Sequence, residues 1–329
     1  MNICILHDEV TDASRPDEAD ALVQAEAIGS ALAELGHTWW KQALTLDLAD
    51  FTRMMRERRP DLVVNIVESL ARWGRLIYLA PAVLDTLGIP YTGVPTDAMY
   101  LTSNKVLTKA WLHAHGLPTP AWHVPGQASA NPLPLPCRCI IKSVWEDASV
   151  GLTDDAVVEV ASFDALDALI RARAAGLGGE AFAESYVEGR ELNLSVLAGA
   201  GGPEVLPAAE IEFIDFPAGK PRIVGYAAKW DEASMEYRAT PRRFGFADAD
   251  TPLLEMVGAL SRACWRLFGL RGYARVDFRI DADGCPLILE VNGNPCLSPD
   301  AGLAAAADQA GLTLTQVMER IVADALRPR

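Results

Sequence analysis

The chain has 329 residues, half of them hydrophobic, and a formal net charge of −15. That length suits two or three domains with a sizeable core, and the composition excludes wholesale disorder. The acidic balance argues against nucleic acid or an anionic membrane as partner, since both need a basic face, but it permits cations clustered locally around phosphate.

No apolar run approaches the roughly 18 residues of a membrane span. The first residues, Met1 to Glu9, lack the basic region of a signal peptide. Six scattered cysteines with no CxxC pair read as reduced thiols, so the expected setting is cytoplasmic.

Residues 3–6 read as a buried strand, followed by an alanine-rich helical pattern over about 18–35 that Gly36 stops. Residues 61–66 form another buried strand after Pro60. A helix over about 76–87 ends at Gly88, and residues 89–92 resume extended structure. This alternation predicts a small parallel α/β domain over 1–95. It lacks the GxGxxG that a dinucleotide site places after its first strand. A second amphipathic helix spans 104–115. Residues 125–136, rich in Pro, Ala and Ser, read as a surface connection. Residues 137–143 are a strand, 163–175 a helix with Ser162 as N-cap, and 181–187 and 191–198 strands. Residues 252–268 form a long helix with Pro near N1. Thr313 and Gln316 have the spacing of a capping box that opens the last helix.

A hairpin near the end of the chain carries most of the functional argument. Residues 275–280 alternate polar and apolar, and residues 286–292 form a second strand. Asp283-Gly284 between them is a favoured type I′ turn. That turn pairs Asp277 with Glu290 and Arg275 with Asn292. Opposed side chains on one face have Cβ atoms about 4.5–5.5 Å apart, and opposed like charges repel. Two carboxylates in strands otherwise built for burial need a cation. Two carboxylates and an Asn carbonyl suit Mg²⁺, which also keeps water and phosphate oxygens in its shell. The alternative is a solvated face with a salt bridge from Arg275 or Arg279.

With these residues in view the sequence resembles the ATP-grasp ligases, and most of all the D-alanine–D-alanine ligase family. The resemblance spans nearly the whole chain and rests on blocks in the right order. They are Gly88-Ile89-Pro90-Tyr91-Thr92-Gly93 with Ser103-Asn104-Lys105; Ile141-Lys142 with Ser149-Val150-Gly151; Glu184-Ser185-Tyr186-Val187 with Gly189-Arg190-Glu191; Ala228-Lys229; and residues 272–278 with 289–295. It implies an α/β chain with α+β lobes: an N-terminal parallel α/β domain (1–95), then two ATP-grasp lobes (96–183 and 184–329) that sandwich ATP.

The resemblance also implies roles. Lys105, Lys142 and Lys229 would hold ATP phosphates as flexible point charges. Ser149 belongs to a small-residue loop, 147–151, that would fold over them. Glu184, Tyr186 and Val187 would read adenine, Glu191 the ribose, and Leu289 would line the nucleotide site. Asp277, Glu290 and Asn292 would bind two Mg²⁺ ions, for which Mn²⁺ could substitute. A substrate carboxylate would attack the γ-phosphate, and an amine would then attack the acyl phosphate. Arg275 would stabilise the oxyanion, with Glu68 near the reacting groups. Partners would be ATP and amino acids, with no nucleic acid and no membrane. A homodimer is one assembly it allows, and cell-wall biogenesis the expected process.

The departures fall around the amino-acid substrates. Ala148 precedes Ser149 where the family is serine-rich, and Trp230 follows the third lysine where a tyrosine is usual. Residues 65–74 replace a glycine-rich segment. Glu9, Asp17 and Glu18 are the candidates for the substrate ammonium. Ser298, as an N-cap with Pro299 at N1, would place a helix start at a substrate carboxylate. The rival readings are a different amino-acid pair, a hydroxy-acid acceptor, or a nucleotide-binding regulator without turnover.

Overall fold

The structure is a computed structural model that describes residues 1–12, 16–146, 149 and 151–328; the side chain of Asp17 also lies outside the described residues. Three strands, β1 (Asn2–Asp8), β2 (Thr38–Leu44) and β3 (Leu62–Asn65), form a parallel sheet in the order β2-β1-β3. Ile3 to Leu6 are wholly buried, as the continuous apolar run of a two-sided parallel strand requires. Helices α1 (Pro16–Glu34), α2 (Leu48–Arg58) and α3 (Leu79–Leu87) complete this unit. The sequence pattern does not reveal β2, a strand of mixed burial without clean alternation. The expected strand over 89–92 is only a bridge between Val63 and Tyr91. The helix expected from residue 76 is a 3-10 turn at Gly74–Leu76 followed by α3.

Helices α4 (Thr96–Ser103) and α5 (Lys105–Ala114) are separated by Asn104, whose side chain accepts from Leu107 N at 2.9 Å and caps α5. An antiparallel sheet follows in the order β4-β7-β5-β6, from β4 (Trp122–His123), β5 (Cys137–Ser143), β6 (Val157–Val160) and β7 (Ala181–Ser185). Helix α6 (Phe163–Ala174) packs on it and is capped by Ser162.

The last sheet runs β11-β10-β8-β12-β13, with β9 paired to β8. Its strands are β8 (Arg190–Gly199), β9 (Gly202–Val205), β10 (Ala209–Ile211), β11 (Arg242–Arg243), β12 (Tyr273–Ile280) and β13 (Pro286–Asn292). Two short helices, α7 (Tyr226–Trp230) and α8 (Met235–Ala239), lie between β10 and β11. Helix α9 (Thr251–Leu267) packs behind this sheet, and α10 (Gly302–Gln309) and α11 (Leu314–Ala325) follow it. The Thr313–Gln316 capping box is formed. Val317, Met318, Ile321 and Val322 of α11 share one core with Ile3 and Ile5 of β1 and Ile28 and Leu32 of α1.

The β12–β13 hairpin reaches the expected pairing by an unexpected route. Asp277 does face Glu290, and Arg275 faces Asn292. The turn, however, is wider than a two-residue type I′ turn: Gly284 N donates to Asp281 O at 3.1 Å and Asp281 N to Cys285 O at 3.0 Å. Only Gly284 in this turn has a positive φ, +79°. This shifts the register by one, so that Phe278 faces Ile288. A β-bulge at Leu289 then shifts it back before Asp277 is reached.

Candidate active site

A cleft of about 1080 Å³ opens between the three sheets. Strand alternation puts Glu191 and Asn193 of β8 on the same face as Arg279 and Asp277 of β12, opposite them in register. All four line the cleft, with Arg275, Leu289, Glu290 and Asn292.

The carboxylates of Asp277 and Glu290 stand side by side here. Arg275 donates twice to Asp277, Nε to Oδ1 at 2.7 Å and Nη2 to Oδ2 at 2.8 Å, and lies 3.7 Å from Glu290. Asn193 Nδ2 donates to Asp277 Oδ1 at 2.8 Å. Burial, with Glu290 adding repulsion against the opposing Arg275 charge, lifts the Asp277 carboxyl to about 6. Burial acts on Glu290 too, but the charges of Lys105, Arg275 and Lys229 outweigh it and hold that group near 2. Those three cations therefore converge on one carboxylate.

The donor set fits Mg²⁺. Among the described residues no cluster of three or more His, Cys, Asp or Glu is arranged to hold a metal ion. Two carboxylates and the Asn292 amide oxygen are too few to cage a cation, so water and phosphate would complete the shell. The Asn292 oxygen itself accepts from Asn294 N at 2.8 Å.

At the other end of the cleft Glu184 is 1 % exposed and lies between two ammonium groups. Lys142 Nζ is 2.6 Å from Oε1, and Lys109 pairs with Oε2. Burial opposes the Glu184 charge, yet the two lysines prevail and keep its carboxyl below the ordinary range. Lys109, one helical turn after Lys105 on α5, also donates to Thr119 Oγ1 at 3.0 Å, and Thr119 donates to Ile288 O. Sequence reasoning passed over it, although its spacing of four from Lys105 was a usable signal.

Lys105 donates to Glu146 O at 2.9 Å, and Glu191 pairs with Arg279 at 2.8 Å. Tyr186 and Val187 line the cleft just after β7; the Tyr186 hydroxyl accepts from Arg222 N at 2.9 Å. Of the loop 147–151, Asp147, Ala148 and Val150 lie outside the described residues. Ser149 has φ +60° and donates to Val224 O at 2.8 Å. Beside it Gly225 has no room for a side chain, since a Cβ there would lie 2.7 Å from Leu152 O. This contact seats the segment that carries Lys229 and Trp230 against the loop.

The N-terminal unit supplies an acidic wall of Asp8, Glu9, Glu18, Asp20 and Glu68. Glu18 Oε2 accepts from Thr11 N, Thr11 Oγ1 and Asp12 N at 2.9–3.0 Å, and so ties residues 11 and 12 to α1. The Asp17 side chain lies outside the described residues. Asp20, unmarked by any motif, accepts from Ser298 Oγ at 2.7 Å and from the Cys296 thiol at 3.1 Å. Ser298 is therefore no N-cap: it is 1 % exposed, does not line the cleft, and α10 starts four residues later at Gly302. Pro299 and Asp300 form a turn in which Ala301 N donates to Ser298 O at 2.9 Å. The Cys296 thiol is pushed far above its ordinary range by burial and by Glu68 and Asp20, so it is no nucleophile.

Asp8 accepts from Glu68 N at 2.8 Å and from Ser69 N and Oγ at 3.1 Å. Burial raises its carboxyl to about 6 despite these bonds. As pH falls through about 6 the group gains a proton and loses acceptor capacity, so the 68–69 segment loosens. Turnover is expected to fall below pH 6, where Asp277 gains a proton as well, so an Asp8→Asn variant is expected to remove only part of that acid limb in a pH–kcat/KM profile. Stability moves the other way: with the folded pKa raised, the charged form is the costlier one, and this contribution is lost as pH rises through 6.

A cleft between two lobes built on antiparallel sheets, with paired acids on one wall and lysines from both, defines the ATP-grasp class of nucleotide-dependent ligases. The family profile described as D-ala D-ala ligase C-terminus matches residues 125–323. A D-alanine–D-alanine ligase of Synechococcus sp. (strain JA-3-3Ab) is 30 % identical over 336 residues, 99 % of this chain and 94 % of that one. One from Bordetella petrii is 32 % identical over 248 residues, covering 74 % and 70 %. The crystal structure of the Bacillus anthracis D-alanine–D-alanine ligase complexed with ATP superposes with a TM-score of 0.71 at 20 % identity, covering 99 % and 97 % of the two chains, and shares the fold. The chain belongs to the D-alanine–D-alanine ligase family and is an ATP-dependent ligase.

Proposed function

We propose that the chain is an ADP-forming ligase that joins two amino acids into a dipeptide. The observation that carries this reading is the in-register pair Asp277–Glu290, on which Lys105, Arg275 and Lys229 converge. D-alanyl-D-alanine is the first product to test, because it is the one in the relatives' names.

Lys105, Lys142 and Lys229 would hold the phosphates, Glu184 with the 186–187 backbone the adenine, and Glu191 the ribose. Asp277, Glu290 and Asn292 would hold two Mg²⁺ ions, which when bound neutralise charge on the transferring phosphoryl group. A carboxylate oxygen of the first amino acid attacks the γ-phosphorus, the bond to the β-phosphate oxygen breaks, and ADP leaves. The amine of the second then attacks the acyl carbon, loses a proton, and phosphate departs. Arg275, fixed by Asp277, is poised to stabilise the oxyanion formed between these events. The acidic wall suits the ammonium of the first substrate, with Glu9, Glu18, Asp20 and Glu68 within it. The 65–74 segment, with Ser149 and Leu152 on the facing wall of the cleft, would keep water from the acyl phosphate.

The test is ADP release with D- and L-amino acids, singly and in pairs, with products read by mass. Release that requires two amino acids is expected; nucleotide binding with no such release overturns the reading. Arg275→Ala is expected to lower kcat about 10²–10³-fold while ATP affinity changes little, the usual loss when one oxyanion donor is removed.

A further inference from the structure

The cations of the cleft are nearly all paired. Arg275 is held by Asp277, Arg279 by Glu191 and Arg72 by Glu18, while Arg238 donates to backbone carbonyls. Arg242 differs. Among the described residues no carboxylate lies within ion-pairing distance of it, and its hydrogen bond is a long one, Nη1 to Asp300 O at 3.4 Å. Its neighbour Arg243 makes the contrast plain. The two alternate across β11, and Arg243 pairs with Glu210 and Glu212 while Arg242 lines the cleft. Arg242 is itself an exposed residue; what desolvation it has, then the nearby Arg275 charge, lower its guanidinium's pKa, and Asp300 and Tyr237 offset this in part.

Beside Arg242 is a second element with an affinity for anions. Helix α10 begins at Gly302, and its N-cap, Ala301, has no side-chain cap to give. Both residues line the cleft, and a Cβ on Gly302 would lie 3.9 Å from Arg242 Nη2. The acidic wall, which suits an ammonium group, lies on the N-terminal unit; Arg242 stands on the edge strand of the last sheet. An amino acid that reacts through its amine brings its own α-carboxylate, and the first turn of α10 can take that group through its N–H donors. Arg242 remains: a whole charge in a fork geometry made for a carboxylate, with no carboxylate among the described residues within ion-pairing distance.

We propose that Arg242 recognises a second carboxylate on the amine substrate, so that this chain adds an acidic amino acid where its named relatives take alanine. The proposal rests on the ligase reading above and specifies its acceptor.

The experiment uses the full chain with ATP and Mg²⁺, alanine of either configuration as first substrate, and alanine, serine, aspartate and glutamate of either configuration as second. ADP release gives kcat/KM, and mass identifies the dipeptide. The wild type is expected to favour a dicarboxylic acceptor over alanine at least tenfold. Arg242→Gln is expected to bring that ratio close to one, and Arg242→Lys to retain part of it, with the ATP dissociation constant unchanged in both as the check on folding. A wild type that prefers neutral acceptors overturns the proposal. So does an Arg242→Gln variant that weakens every acceptor equally, which would make Arg242 an anchor for the α-carboxylate alone. Both results leave the ligase reading intact, whereas ATP binding with no amino-acid-dependent ADP release removes it together with the proposal.

Discussion

Replacing Glu290 by Gln, or Asp277 by Asn, is expected to cut ADP formation by about 10²–10³-fold or more while the fold persists. The reason is electrostatic. Each substitution removes one negative charge from a pair that faces Arg275 and lies within the influence of Lys105 and Lys229. Without that charge the site repels a cation, and the transferring phosphoryl group loses its neutralisation. The exchange is nearly isosteric, so packing around Phe278 and Val291 is unchanged. Titration with Mg²⁺ in the presence of a non-hydrolysable nucleotide separates the cause: the variants should need far more metal. A folded Asp277→Asn, Glu290→Gln double variant with normal turnover would remove the metal assignment.

The second large effect is on stability. Lys109→Met should cost about 3–5 kcal/mol, because it strips a partner from a carboxylate that is 1 % exposed. Lys142 alone, on the cleft side and 19 % exposed, cannot replace a charge that is fully enclosed. Glu184 would then take up a proton or admit water, and Thr119 would lose its donor from Lys109. Adding Glu184→Leu to Lys109→Met should recover most of the loss in a denaturant titration while ATP binding stays weak. If Lys109→Met alone melts like the wild type, the buried triad contributes nothing to the fold.

The parts of the fold legible in the sequence were those with one dominant local force. The all-apolar run of β1, the cap at Ser162 and the Thr313–Gln316 box each follow from a few neighbouring residues, whereas the cap at Asn104, read as part of the helix, came only from the structure. What stayed hidden depended on distance along the chain. Strand β2 carries no alternation because its burial is set by what packs on it. Ser298 has the look of a cap, yet its hydroxyl turns to Asp20, which is 278 residues away. The hairpin is the most instructive case. The turn residues suggested a two-residue loop; the loop is longer, and the bulge at Leu289 restores the pairing of Asp277 with Glu290. Opposed acids were thus a sound guide to the site, although turn chemistry alone could not have shown how the strands bring them together. Asn193 was visible in principle, two residues from Glu191 on an alternating strand. Asp20 and Arg242 were not, for neither sits in a motif.

The packing of α11 on α1 and β1 bears on how the chain is made. Val317, Met318, Ile321 and Val322 close the core that Ile3 and Ile5 begin. A ribosome releases the first strand long before it releases these residues. The opening sheet therefore waits, with one apolar side uncovered, until synthesis is nearly over, whereas the β4–β7 sheet with α6 has all its residues released well before then. Removing α11 would leave a nascent-like product that chaperones hold and proteases cut within its first hundred residues, far from the deletion itself.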